Sequence, residues 1–529
     1  MNFLVRVITQ AWRLSPWRNA VMVLMIILSA LCSVIAPYVL GQGVASIVLI
    51  SDRGEFLRSA SIMAIAYSLL WFIGSTLRYM AYPIYGLIEQ KLQSDVMARS
   101  LSDSITADAH MRHRIDNTEV SFAIDTEAGA YRDTLSGLYL SLLPAFISLT
   151  AGIGTVIYAS TWVEGLILLA AIVLYGFITR SLIGQHQAAQ TEMFQQNMRS
   201  FGVLGNSLSL WKEAMVFSVP HFLATRYRED RIPVENAGKN AYAATRKLYV
   251  AQNSILALTI CALIFTISFR THSDPATAIG TIVSTVGIAI AAISPLQTVG
   301  FGFSSLAVAI THEKESRAKI NPTRSDTDLP NEESSQAPWQ KHIHELAQLL
   351  TSEQAQHSGR PIWVLGASGT GKTTVLEGLL GLNTSQPQTD VVKRGYAQQT
   401  PGLLNATAMD NVIFGREIPV ETASSALSRL GLEMFALDGS AHGRDVAGEE
   451  GGVSGGERQR IAIARALSDA PGTLIVLDEP TSGLDATARA LAWDFIEEKA
   501  HENTVIIATH DSSAPIRADD KVVRLSAQD

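Results

Sequence analysis

Residues 366–374 read GASGTGKTT. They follow the apolar run Pro361–Leu365 and lead into VLEGLLGL, which has the pattern of a helix. Strand, glycine-rich turn and helix in that order make a phosphate-binding loop, because glycines let successive backbone N–H groups close around phosphate oxygens at a helix N-terminus. Gly366, Ala367, Ser368, Gly369, Thr370, Gly371 and Thr374 form the cradle. Lys372 offsets charge on the outer phosphates, and the Thr373 hydroxyl can take a Mg²⁺ position. By itself the loop implies a nucleotide and says nothing of what that nucleotide drives.

Further along, TLIVLDEPTSGLD at 473–485 is a second apolar strand, ending in Asp478 and Glu479. Acids at a strand's C-terminal end put Asp478 where it can bind Mg²⁺ through water, and Glu479 where it can orient or deprotonate an attacking water. Two acids at a helix start would serve the helix dipole equally well. The phosphate loop upstream favours catalysis. His510, in VIIATHD just past another strand, is placed to reach a γ-phosphate, although a lone histidine is more often a surface or core residue. A third stretch, VSGGERQRIAIARAL at 453–467, is a Gly-Gly turn running into an Arg-rich apolar helix. It offers a second phosphate-ready helix N-terminus to a chain that already has one.

The 529 residues are 47% hydrophobic and only 17% charged, too apolar for one soluble enzyme. Almost all charge-free runs precede residue 310, and beyond residue 311 polar and apolar residues alternate as in a soluble α/β domain. Crossing a hydrocarbon core takes about 20 apolar residues in helix. Six stretches qualify: 20–50, 59–77, 134–158, 165–183, 249–269 and 276–310. The first follows Arg6, Arg13 and Arg18, is longer than a signal peptide's apolar core and lacks a small-residue cleavage site, so it is expected to be a permanent helix. Segments 1–19, 85–133 and 180–247 carry three, five and nine Lys and Arg, against two, none and one in 51–58, 159–164 and 270–275. The basic segments therefore face the cytoplasm, and an even number of spans returns residues 311–529 to that side. The net charge of −8, with no basic stripe, argues against a nucleic-acid partner. Cys32 and Cys261 both fall inside expected spans, which supports neither a disulfide framework nor a Cys metal site. NPTRSDTDLPNEESSQAPWQ at 321–340 reads as a linker.

The order phosphate loop, Gln399 in YAQQTPGLL, VSGGE, LDEPTSGLD and ATHD, over residues 361–511, resembles the nucleotide-binding domain of an ATP-binding cassette (ABC) transporter. Six spans with two long cytoplasmic excursions resemble the half-transporters of its exporter class. The resemblance implies a membrane all-α six-helix domain (1–320), the linker (321–340) and an α/β P-loop NTPase domain of the ABC type (341–529). It implies ATP and Mg²⁺ as cofactors, with Thr373, Gln399 and Asp478 around the metal and Glu479, His510 and Gln399 in catalysis. It further implies that Ser454, Gly455 and Gly456 serve the nucleotide held by a second copy's phosphate loop, in a homodimer that closes head to tail, and that Glu457 and Asp485 are among the ATP-binding residues. The physical logic is independent of the family, since a second helix N-terminus adds charge-assisted hydrogen bonds only when ATP bridges two surfaces. Some features depart from the pattern. The signature has Val453 in place of Leu and Glu457 in place of Gln. Only 26 residues separate Lys372 from Gln399, so an abbreviated antiparallel subdomain is expected. No first strand is evident upstream, and residues 340–362 contain no Phe, Tyr or Trp. Trp339 is the nearest aromatic, free either to stack on adenine or to pack on the domain surface.

In the exporter reading, turns at Ala107–Arg112 and Leu208–Lys212 are coupling helices pressed against the region of Gln399. The stretches LSLWKEAMVFSVPHFLATRYRED and ISPLQTVGFGFSSLAVAI resemble exporters of lasso-type antibacterial peptides and heavy-metal-tolerance exporters of thiol conjugates. Trp71, Ser75, Arg78 and Tyr82 recur at helical spacing on one face of the second span. An intramembrane arginine is costly unless it faces water or a partner. Arg78 therefore either lines a cavity, favouring an anionic substrate, or snorkels to the interface beside Tyr79. Gln297, after a kink expected at Pro295, is a second cavity residue. The expectation is an ATP-driven exporter of a small, lasso-type peptide across a bacterial inner membrane, set in lipid with its nucleotide domain cytoplasmic. A thiol-conjugate exporter, a siderophore importer of the same architecture and a membrane ATPase that gates or senses without moving solute share its motifs.

Overall fold

The computed structural model describes residues 2–48, 50–107, 117–159, 161–270, 275–322, 338–351, 359–383, 393–436, 452–511 and 513–525. The chain divides into two compact units, one of residues 1–103 with 118–320 and the other of 104–117 with 321–529.

In the first unit the stretches 59–77, 165–183 and 249–269 each lie inside a longer helix, 20–50 runs past the end of its helix, and 134–158 and 276–310 are each divided between two helices. After the amphipathic α1 (Asn2–Leu14) come α2 (Pro16–Ile47), α3 (Arg53–Ile105), α4 (Asn117–Ser136), α5 (Leu143–Ala159), α6 (Trp162–Ser209), α7 (Trp211–Val216), α8 (Pro220–Asp230), α9 (Ile232–Arg270), α10 (Pro275–Ile293) and α11 (Leu296–Ile320). Six helical segments are long and apolar enough to cross a membrane. Lipid cannot satisfy backbone polar groups, so apolar runs of this length persist as helix. The helices pack through small residues and polar links. A Cβ at Gly41 of α2 would stand 2.5 Å from the Gly280 carbonyl oxygen of α10. Helices α6 and α9 are joined from one end to the other by Glu164–Arg270 (3.4 Å), Thr179–Gln252 (3.1 Å), Gln190–Thr245 (3.4 Å) and Asn197–Arg231 (2.7 Å). Two irregularities interrupt the helices. Residues Gly137–Leu142 form a π-helical turn between α4 and α5, and the chain breaks at Ser294–Pro295, where a kink is expected. The missing N–H and the ring of proline account for the break.

The turn at 208–212 becomes the end of α6 and the start of the short α7, with Trp211, Met215, Val216 and Phe217 exposed. Its counterpart at 107–112 lies, beyond residue 107, outside the described residues, as do the side chains of Gln297 and Trp339.

The second unit is built on five parallel strands: β1 (Ile362–Leu365), β2 (Arg394–Ala397), β3 (Leu474–Asp478), β4 (Thr504–Thr509) and β5 (Val522–Arg524), in the order β2-β3-β4-β1-β5. The central strands are apolar on both faces, as a sheet covered on both sides requires. One face packs on α12 (Pro338–Thr351) and α13 (Lys372–Leu380) through Ile343, Leu346, Val375 and Leu379. The other packs on α17 (Gly455–Leu467) and α18 (Ala486–Ala500) through Ile461, Ile463, Phe495 and Ile496. Among the described residues between β2 and α17 lie three short helices, α14 (Ala408–Ile413), α15 (Val420–Arg429) and α16 (Glu433–Ala436).

No antiparallel strand occurs among the described residues. Upstream of β1 the described chain is helix, and α12 begins inside the stretch read as linker. Residues 338–340 are its first turn, because Pro338 has a φ suited to N1 and no N–H to leave unpaired there.

Candidate nucleotide site and membrane cavity

The parallel order places β3, β4 and β1 side by side, so the segments after their C-terminal ends meet along one edge. From β1 comes the loop 366–371, in which Gly369 and Gly371 both adopt φ +84°, a conformation that disfavours any Cβ. From β3 come Asp478 and Glu479, and from β4 comes His510. The register Asp478↔Ala508 lets the Glu479 N–H donate to the Ala508 carbonyl at 2.9 Å. Glu479 itself has φ +49°, an uncommon conformation for a residue with a side chain, held here by the surrounding hydrogen bonds.

Five of the expected residues converge. Lys372 Nζ donates to the Gly366 and Ala367 carbonyls at 2.9 and 3.1 Å and lies 3.3 Å from Glu479 Oε1. His510 Nδ1 is 2.6 Å from the same oxygen, although the imidazole is 56% exposed. The Thr373 hydroxyl donates to Asp478 Oδ2 at 2.6 Å. Asp478 is fully buried, and its Oδ1 has no hydrogen-bond partner among the described residues. Burial pushes the Asp478 carboxyl above the usual carboxylate range, with Glu479 adding to the effect, while the Thr373 hydrogen bond and Lys372 oppose it. An unpartnered buried carboxylate oxygen beside a hydroxyl is a hard oxygen donor set of the kind Mg²⁺ takes. Among the described residues no group of three or more His, Cys, Asp or Glu side chains could hold a metal unaided. A cation here would complete its shell with water and phosphate oxygens.

The remaining expected residues stand apart from this cluster. Gln399 is exposed in the turn after β2 and shares none of the contacts that join the other five. Ser454 caps α17, its hydroxyl accepting from Glu457 N–H at 3.2 Å while its own N–H donates to Glu457 Oε2 at 2.7 Å. Ser454 and Gly455 are exposed. Asp485 caps α18 by accepting from Ala488 N–H at 2.8 Å. Sequence reasoning overlooked Gln459. It is buried on α17, and its Nε2 approaches the Glu479 carbonyl at 3.5 Å, linking the signature helix to the end of β3. The signal was a lone uncharged polar residue in the arginine-rich RQRIAIA run.

In the membrane unit, a cavity of about 480 Å³ is walled by α2, α3, the π-helical turn, α5, α10 and the start of α11. Arg78 and Tyr82 line it. Trp71 and Ser75 do not, although they share that helical face; Trp71 lies about 10 Å from Arg78 along the axis. Sequence periodicity identified the face without its depth. Ser29, Ser33 and Tyr139 also line the cavity and were missed, because small hydroxyls in an apolar span read as packing residues.

Two family descriptions match the chain: ABC transporter transmembrane region at residues 20–296, and ABC transporter at 354–482. The glutathione/L-cysteine transport system ATP-binding/permease protein CydC of Escherichia coli is 36% identical over 173 residues, which is 29% of this chain and 29% of that protein. The beta-(1→2)glucan export ATP-binding/permease protein NdvA of Mesorhizobium japonicum is 36% identical over 172 residues, again 29% of each. The Fe(3+) ions import ATP-binding protein FbpC 2 of Rhizobium meliloti is 35% identical over 184 residues, 31% of this chain and 45% of that protein. The chain thus spans about half or less of the length of these curated relatives. In fold it is similar to the structure of a bacterial Atm1-family ABC exporter with ATP bound, at TM-score 0.75 and 17% identity, covering 97% of this chain and 94% of the other.

Proposed function

The chain belongs to the ABC transporter family, whose transmembrane-region description alone matches more than half of it, and we propose that it is an ATP-driven exporter working as a homodimer. The observation that carries this reading is the convergence of Lys372 and His510 on one oxygen of Glu479 at the edge where the phosphate loop opens. When ATP binds, phosphate oxygens compete for the Lys372 ammonium. Glu479 is then free to orient and accept a proton from the attacking water, and His510, held through Nδ1, presents its other nitrogen to the γ-phosphate. Thr373 and Asp478 would hold Mg²⁺, which when bound offsets the negative charge of the phosphates. Gln399, in the turn after β2, would complete that shell on closure. Ser454 to Glu457 and Asp485 would serve the nucleotide of the second copy, which accounts for their standing apart from the cluster within one chain.

The membrane is read as a bacterial inner membrane, with the nucleotide domain in the cytoplasm. The exposed apolar side chains of α7, like the turn near residue 107, would act as coupling contacts that transmit closure as helix rotation. The cargo is read as a small peptide, supported by a cavity of about 480 Å³ that mixes hydroxyl and apolar walls. A second reading, a thiol conjugate or glutathione-like cargo, is favoured by the likeness to CydC. Stimulation of ATP hydrolysis by glutathione but not by unrelated peptides would select it.

Glu479→Gln tests the ATPase reading. Nucleotide binding should persist while turnover in proteoliposomes slows by on the order of a hundredfold or more. Undiminished hydrolysis would remove Glu479 from the role.

A further inference from the structure

We propose that the membrane cavity is an anion subsite, in which Arg78 pairs with a carboxylate or comparable negative group on the cargo. That the anion is cargo rests on the exporter reading; the charge preference of the cavity does not.

Arg78 is the one charged residue among those lining the cavity. It forms no ion pair or hydrogen bond among the described residues and lies well inside α3, a helix long and apolar enough to cross a membrane, just past the apolar stretch 59–77. An unpaired guanidinium there is costly unless it meets water or an anion. Four of the hydroxyls in the walls give their protons to the protein itself. Ser29 donates its hydroxyl proton to the Gly74 carbonyl (2.7 Å), Ser33 to Ala30 (2.8 Å), Thr298 to Pro295 (2.7 Å) and Tyr139 to Asn19 Oδ1 (3.0 Å). Arg78 keeps its N–H fork free, and Tyr82, one turn along α3, has a hydroxyl without a protein partner. With no Asp or Glu in the lining, a cationic ligand would meet only repulsion. A carboxylate would find a planar donor fork that matches its two oxygens.

The test reads the cavity's charge selectivity without knowledge of the cargo. In full-length chain carrying Cys32→Ala and Cys261→Ala, in phosphatidylcholine nanodiscs, Thr298→Cys reports from the cavity and Ser94→Cys from an exposed position elsewhere on α3. Each is reacted with an anionic sulfonatoethyl and a cationic trimethylammonioethyl methanethiosulfonate. The anionic-to-cationic rate ratio should be about tenfold higher at Thr298→Cys than at Ser94→Cys. Arg78→Gln should abolish the difference and Arg78→Lys should keep it. Equal ratios at the two positions, or a ratio that Arg78→Gln leaves unmoved, would overturn the proposal. If Arg78→Gln cannot be recovered folded, the comparison of the two positions in the Arg78 chain still decides. Replacing the lipid by phosphatidylglycerol distinguishes the source of the anion: a ratio that persists supports cargo, and one that collapses assigns the subsite to lipid phosphate and overturns the cargo assignment. Absence of ATP hydrolysis in the unmodified chain would sink the exporter reading while leaving the labelling result intact.

Discussion

Glu479 Oε1 is shared by an ammonium and an imidazole, and the residue before it, Asp478, has a fully buried carboxylate with one oxygen unpaired. The two adjacent acids are thus held differently. Glu479 faces the Lys372 ammonium, whereas Asp478 is stabilised by one hydroxyl and destabilised by burial. Because the folded-state pKa of Asp478 is raised, its contribution to stability is fully present below the ordinary carboxylate value of 3.8 and is lost as pH rises through the raised value. At neutral pH without nucleotide or metal, Asp478 therefore costs stability. Asp478→Asn should raise the midpoint of thermal unfolding of the nucleotide unit by about 2 °C or more, with the gain shrinking under acid conditions. A midpoint that falls or stays put in Mg²⁺-free buffer would contradict this account. The identities of Asp478 and Glu479 were legible because a strand end displays its last residues. Gln459 was not, since which face of an arginine-rich helix meets the sheet depends on packing.

Among the elements, α12 departs most from expectation. Where the domain was expected to open on a linker running to residue 340, an amphipathic helix buries Ile343 and Leu346 against the sheet face that also carries α13. A helix in that place brings no strand, and residues 340–362 contribute no aromatic ring for a base to stack on. Phosphate and metal contacts then supply most of the nucleotide affinity. GTP should be hydrolysed within about tenfold of ATP, a difference of roughly 1.4 kcal/mol. A preference for ATP far beyond that, measured as a ratio of kcat/KM, would require an adenine platform. The membrane helices overran their apolar windows for a related reason. A hydropathy window detects the 20 or so residues that sit in lipid. The 53-residue α3 and 48-residue α6 continue as helix on polar and small residues whose partners lie far away in the chain.

At the scale of the whole molecule, one chain holds a phosphate loop and a second helix N-terminus, Ser454 to Glu457, that stands apart from the Lys372–Glu479–His510 cluster. On the homodimer reading, that second N-terminus serves the other copy. A mixed dimer with Lys372→Ala on one chain and Ser454→Arg on the other would concentrate both lesions in one composite site if the chains meet head to tail, leaving the other site whole. It should occlude one labelled ATP, whereas either mutant homodimer should occlude none. No occlusion in purified mixed dimers would return VSGGE to its own chain. What the sequence determined by itself was everything written in local order: the six apolar runs, the phosphate loop, the acids at the end of β3 and the family they compose. These are legible because each is a short contiguous pattern read against a fixed geometry of strand, turn or helix. Only the tertiary structure decided that Lys372 and His510 share one oxygen of Glu479, that a helix opens at Pro338 inside the stretch read as linker, and that Arg78 and Tyr82 line a cavity while Trp71 does not. Each of these depends on which distant segment supplies the neighbouring wall, and neither spacing nor composition along the chain carries that distance.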